Sequence, residues 1–272
     1  MTRRPLGWLS PDRYGRPHRG TRTAPAELAG LPSSVRLAGL PEVYDQHAVG
    51  SCVAQALACA VEILAHRGGY APERPDRTAL YYRARRAIGS VGDDSGAIIA
   101  DGIEVLRGGW ERETAEPAPH FDASYVRPPH DRAPDAPRVV SAEPLAHDLA
   151  TVCWDLACGH PVVCGIRVTD QWDHLDGDRL GDPEGDVTGG HAVCLVGYQR
   201  EGDRVEVRGR NSWSLAWGDH GEAWLPASWL SIAQCGELHA LRAIRHAPPV
   251  DLFPPKGDDP ETREDFDPRG VL

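Results

Sequence analysis

No run of about 18 apolar residues occurs anywhere in the 272-residue chain, which argues against a membrane-spanning helix. The opening, MTRRPLGWLSPDRYGRP, carries early arginines but no apolar stretch behind them, so a secretory signal is not expected. The twelve histidines include no H-E-x-x-H and the seven cysteines no C-x-x-C, so no zinc site is expected. Positive charge is in deficit: 29 Lys and Arg against 40 Asp and Glu leave a net charge of -11. Such a balance argues against nucleic acid or an acidic membrane as the main partner. There is no internal repeat. Seven cysteines cannot all pair with one another, and Cys59, Cys153, Cys158, Cys164 and Cys194 lie in apolar or small-residue runs. Buried free thiols in a reducing, cytoplasmic setting are therefore expected, without structural disulfides.

What is present is enough apolar sequence, 41%, for a sizeable core. Residues 1–40 are rich in Pro, Arg and Gly and read as an extended lead-in. The first strong helix is SCVAQALACAVEILAH, with Val53, Leu57, Ala60, Val61 and Leu64 at helical spacing, Ser51 as the expected N-cap and Gly68–Gly69 as the stop. Helices are also predicted in DRTALYYRARRAI, entered near Asp76, in GAIIADGIEVLRGG, and in PLAHDLATVCWDLACG. Residues 115–144 hold seven prolines and read as an irregular connection. Beyond them PVVCGIRV, HAVCLVGYQ, RVEVRGR and the weaker EAWLP read as strands. Helices first and strands afterwards make an α+β chain. The tail, 248–272, is Pro-rich and acidic, with seven acids against three bases over 251–272; it is expected to be flexible, with docking to some partner as the alternative.

Four residues suggest covalent chemistry. Cys52 opens the first helix, where the field of the helix N-terminus favours a thiolate, and Gly50 before it leaves room for a substrate backbone. The stretch from His191 to Asn211 reads as a hairpin turning at Glu201-Gly202-Asp203, a register that sets His191 opposite Asn211. An amide carbonyl there can hold one ring N–H and leave the other nitrogen for Cys52. Gln46, six residues before Cys52, can supply an N–H to a developing oxyanion together with the Cys52 backbone.

Asp45-Gln46-His47-Ala48-Val49-Gly50-Ser51-Cys52, then Gly190-His191-Ala192-Val193 through Gly197-Tyr198, then Asn211-Ser212-Trp213 and Trp217-Gly218-Asp219-His220-Gly221 resemble, in order and spacing, the three sequence blocks of the papain family. Val43-Tyr44-Asp45-Gln46 is similar to its bacterial and archaeal members with little propeptide. The resemblance covers roughly residues 40–240. It implies a two-lobe fold: helical over about 41–140, antiparallel and β-barrel-like over about 141–247, with a cleft between. It also implies a cysteine peptidase with no cofactor or metal, acting on a peptide or protein. Cys52 is then the nucleophile, His191 the proton carrier, Asn211 its orienting group and Gln46 the oxyanion donor. Trp213 would shield the His191–Asn211 bond, Ser51 would support the site, and Ser95, Gly96, Gly190 and Trp217 would meet substrate.

Three positions depart from the pattern: His47 and Ser214 stand where the family has glycine, and Val53 where an aromatic residue is common. They leave open a transpeptidase or ligase using the same thioester, or a binding module that has lost turnover. Whether residues 1–40 cover the cleft is left open by the sequence. The run DQWDHLDGDRLGDPEGD lacks the ordered spacing of a calcium loop and reads as a solvated rim.

Overall fold

A computed structural model describes residues 4–16, 18, 20, 22–23, 27–71 and 74–245. The elements are β1 (Ser34–Arg36), α1 (Cys52–Arg67), α2 (Arg77–Ala87), α3 (Ile99–Arg107), α4 (Ala123–Val126), β2 (Arg138–Pro144), α5 (Leu149–Ala157), β3 (Val162–Val168), β4 (Gly189–Glu201), β5 (Arg204–Arg210), β6 (Glu222–Pro226) and β7 (Cys235–Arg245). The tail, 248–272, lies outside the described residues.

Helix α1 is more deeply placed than an amphipathic reading suggests. Every residue from Cys52 to Ala65 is buried, so it runs through the centre of the molecule rather than along its surface. Its two long polar side chains are each answered: Gln55 Oε1 accepts from Arg77 Nη1 at 2.8 Å, and Glu62 Oε1 from Arg74 Nε at 2.7 Å. The helix begins where expected, yet Ser51 makes no side-chain cap; its Oγ accepts from Gln55 Nε2 instead, at 3.1 Å. Asp76 and Asp148 do cap α2 and α5, accepting from Ala79 N and Thr151 N.

The strands form one antiparallel sheet in the order β2-β7-β3-β4-β5-β6, with β1 also paired to β4. Its end strands, β2 and β6, are not paired with each other, so the expected barrel-like lobe is an open sheet. Three strands escaped the sequence reading: β1, only three residues long, β2 and β7. β2 lies in the proline-rich stretch taken as irregular, on the sheet edge where prolines are tolerated. β7, a central strand, has no flanking turn signal.

The β4–β5 register differs from the expected one. The turn is the two residues Gly202–Asp203, with Glu201 paired to Arg204. The expected register would pair Cys194 with Arg208, but Cys194 pairs with Arg210, a shift of two positions. Nearer the turn the shift is three, since Tyr198 meets Val207 rather than Arg204; a bulge between Leu195 and Gly197 absorbs the odd residue. An even shift keeps His191 and Asn211 on the same face, and so the two side chains still meet diagonally. His191 itself pairs across to Ile166 of β3.

Candidate active site

Cys52 sits at the first turn of α1, against β4. The Ala192 N–H donates to its Sγ at 3.4 Å, and the sulfur is fully buried. Gly50, two residues earlier, is held by Asp94, a carboxylate that stood next to the expected substrate contacts Ser95 and Gly96 but whose bond to Gly50 was not foreseen. Both oxygens of Asp94 accept from Gly50 N at 3.0 Å, and Tyr81 donates to Asp94 Oδ1 at 2.6 Å. The same Tyr81 hydroxyl accepts from Gly96 N at 2.9 Å, tying the 94–96 loop to the start of α1.

On the β side, His191 Nε2–H donates to Asn211 Oδ1 at 2.7 Å, which also accepts from Ser212 N at 2.7 Å. His191 Nδ1 has no hydrogen-bond partner among the described residues, although it is buried. Ring nitrogens are thus divided: one is committed to the amide, the other is free as a proton acceptor. The Trp213 ring lies over the imidazole with centroids 4.5 Å apart. Trp172 was missed, because it lies in the acidic run read as a solvated rim. It is 1% exposed, stands edge-on to His191 at 5.9 Å and stacks on Trp217 at 5.6 Å. Trp217 Nε1 donates to the Trp172 carbonyl at 2.8 Å, which folds this rim inward. A lone aromatic residue among aspartates was the available signal.

Gln46 bridges the two sides. Its Oε1 accepts from Ser212 Oγ at 2.7 Å; its Nε2 donates to Val49 O at 2.8 Å and to Pro5 O at 3.2 Å. The last contact belongs to the lead-in, and residues 4–9 do lie across the cleft. Trp8 N donates to Gly190 O at 3.0 Å, Ala97 N to Gly7 O at 2.7 Å and Leu9 N to Ala97 O at 2.9 Å, a parallel pairing of Trp8 with Ala97. The Gly7 N–H faces Cys52 Sγ. A Cβ on Gly7 would stand 1.7 Å from Gly50 O, so only glycine fits this crossing. Of the expected substrate contacts, Gly190 accepts from this strap. Gly96, at φ 84, lies under it, with a built Cβ 2.3 Å from Gly7 O; Ser95 Oγ is 2.7 Å from Ser90 Oγ, and Trp217 packs in the tryptophan cluster. Further along, Arg16 clamps Asp101 through two 2.8 Å bonds, and Arg22 bonds to Asp155.

Covering the site neutralises it. Burial pushes the Cys52 thiol up to about 12, against the pull of the surrounding N–H groups. Burial likewise lowers His191 to about 4; the Asn211 bond opposes this, and the nearby Arg4 cation adds to it. Arg4 lies over the Trp213 ring, 5.1 Å from its centroid, and donates to the Trp213 carbonyl at 3.0 Å. Under the strap the sulfur is a thiol and the imidazole is neutral.

The two glycine replacements also find their place. His47 has φ 49 and Ser214 φ 63, both left-handed, where a side chain is strained and glycine is not. His47 offsets this through its N–H, which donates to Asp45 Oδ1 at 2.8 Å. Val53 is buried in the core. No helix among the described residues is long and apolar enough to cross a membrane.

No model of a protein family matches the chain. An uncharacterised peptidase C1-like protein of Acanthamoeba polyphaga mimivirus is 28% identical over 229 residues, covering 76% of this chain and 72% of that protein. Xylellain, a cysteine protease from Xylella fastidiosa, shares the fold with a TM-score of 0.76 and 28% identity over 90% of this chain and 99% of xylellain. A procathepsin B from Trypanosoma congolense matches with a TM-score of 0.66 at 17% identity, over 90% of this chain and 86% of its own, a likeness of fold alone. In fold and, at 28% identity, in sequence, this chain is similar to cysteine proteases of the peptidase C1 kind.

Proposed function

We propose that the chain hydrolyses peptide bonds through Cys52, His191, Asn211 and Gln46, and that residues 4–9 hold the site in a resting state. With the strap displaced, His191 Nδ1 takes the Cys52 proton. The thiolate attacks the scissile carbonyl carbon, and its oxygen gains negative charge facing Gln46 Nε2 and the Cys52 N–H. His191 then protonates the leaving amine, giving a thioester. Water, deprotonated by His191, attacks that thioester and restores the thiol. Asn211 holds the imidazole through Nε2 throughout, and Ser212 Oγ holds the Gln46 carboxamide.

One observation carries this reading: a peptide backbone already lies between Gln46 and Cys52, with Pro5 O on the amide and Gly7 N–H toward the sulfur. The strap meets the sulfur with an N–H rather than a carbonyl carbon, which suits an occupant that is not cut.

The test is peptide turnover by Cys52→Ala and Asn211→Ala variants, each in the wild-type chain and with Gly7→Leu. Cys52→Ala is expected to lose all turnover while keeping its circular dichroism, and Asn211→Ala to retain a fraction, since it orients rather than reacts. Undiminished turnover in Cys52→Ala would refute the assignment.

A further inference from the structure

Trp8 is the largest side chain of the strap, and it is 4% exposed. It fills a slot walled by three glycines from three neighbouring strands, Gly165 of β3, Gly190 of β4 and Gly236 of β7. A Cβ on any of them would stand 2.2–2.6 Å from Trp8 atoms. The slot therefore exists because these side chains are missing. Its far end is polar: Trp8 Nε1 donates to Glu237 Oε2 at 2.8 Å, and Glu237 is 1% exposed. Glu237 is fixed by Ile99 N and Ala100 N at the start of α3, both at 3.1 Å, and by His239 Nε2 at 3.3 Å. Nothing in the proposed chemistry uses this carboxylate.

We infer that this slot reads a substrate side chain, and that Glu237 selects one with a flat apolar body and an N–H at its tip, tryptophan before phenylalanine. The inference rests on the proposed peptidase reading. Trp8 follows the residue that lies on Cys52, and its N–H is bound by Gly190 O, next to His191. A substrate backbone held by the same Gly190 and Ala97 groups brings a side chain to the same opening. A phenylalanine there fills the walls but removes one of the two donors on the buried Glu237 Oε2, leaving Ile99 N alone, which is costly.

The experiment uses full-length Gly7→Leu protein, whose strap cannot seat against Gly50. Two peptides differing only by Trp or Phe at one position are compared at each position of a short series. Turnover is measured directly, and equilibrium binding is measured by fluorescence anisotropy in the added Cys52→Ala background. At one position the Trp peptide is expected to surpass its Phe partner about tenfold or more in kcat/KM and in binding. Glu237→Gln, which keeps an acceptor, should preserve that ratio, and Glu237→Leu should abolish it. Binding discrimination without turnover would keep the slot and reject the peptidase reading. Turnover with Trp and Phe equal at every position would overturn the slot, even if the Glu237 variants failed to fold.

Discussion

The two walls of the cleft are held by different physics. On the helical wall, α1 is fixed by buried charge: Arg77, 1% exposed, donates to Gln55 of α1 at 2.8 Å and to Glu113 at 2.7 Å, and its guanidinium lies 4.3 Å from the Tyr44 ring centroid. On the β wall, His191 is boxed by apolar rings: Trp172 touches His191, Trp213, Trp217 and Trp229 with centroids 5.6–6.3 Å apart. A charge network fixes direction, and its cost when broken depends on pH. An aromatic box excludes water and sets the imidazole's basicity. The nucleophile's place is therefore electrostatic and the base's is dry.

The sharpest way to break this contrast is to truncate one anchor on each wall. Trp172→Ala and Arg77→Ala are each expected to cost about 3–5 kcal/mol in urea unfolding, from a large cavity in one case and from stranding the buried Glu113 carboxylate and Gln55 amide in the other. Only the Arg77→Ala loss should be partly recovered by adding Glu113→Gln; a loss left unchanged by that second substitution would erase the distinction. Next in size is the dry wall's own titration. His191 is held near 4, below its ordinary value, so the unfolded chain binds a proton first as pH falls. Stability present above about pH 6.5 is lost toward pH 4, on the order of 3 kcal/mol. A His191→Leu variant should lose that slope in denaturation measured across the window. The smallest effect belongs to the left-handed turns: Ser214→Gly should stabilise by about 1 kcal/mol or less, seen as a raised Tm, and His47→Gly by less because it gives up the 3.5 Å contact of the imidazole with Asp45.

These walls were unequally legible in the sequence. Cys52, Gln46, His191 and Asn211 sit in contiguous blocks whose spacing is meaningful. His191 and Asn211 do meet, diagonally across a bulge that no hairpin count reveals. The supports were hidden because each depends on distant chain: Asp94 and Tyr81 lie 44 and 31 positions from Gly50, and Trp172 is concealed in an acidic run. The strap was visible only as a proline- and arginine-rich stretch. Its purpose depends on Gly7 and Trp8 finding glycine-shaped vacancies, and missing Cβ atoms on separate strands leave no local pattern to read. β7 was lost for lack of turn residues around it, and β1 because three residues make too short a period to count.

The central claim is that the strap neutralises the Cys52–His191 pair by drying it. The most direct test is the pH dependence of Cys52 alkylation by iodoacetamide, read by mass spectrometry at that residue, in wild type and Gly7→Leu. Wild-type Cys52 should stay nearly inert until strongly alkaline pH, in keeping with a thiol near 12. In Gly7→Leu it should react at neutral pH, with an apparent pKa below about 8.5, the free-thiol value. Superimposable profiles for the two proteins would contradict the account.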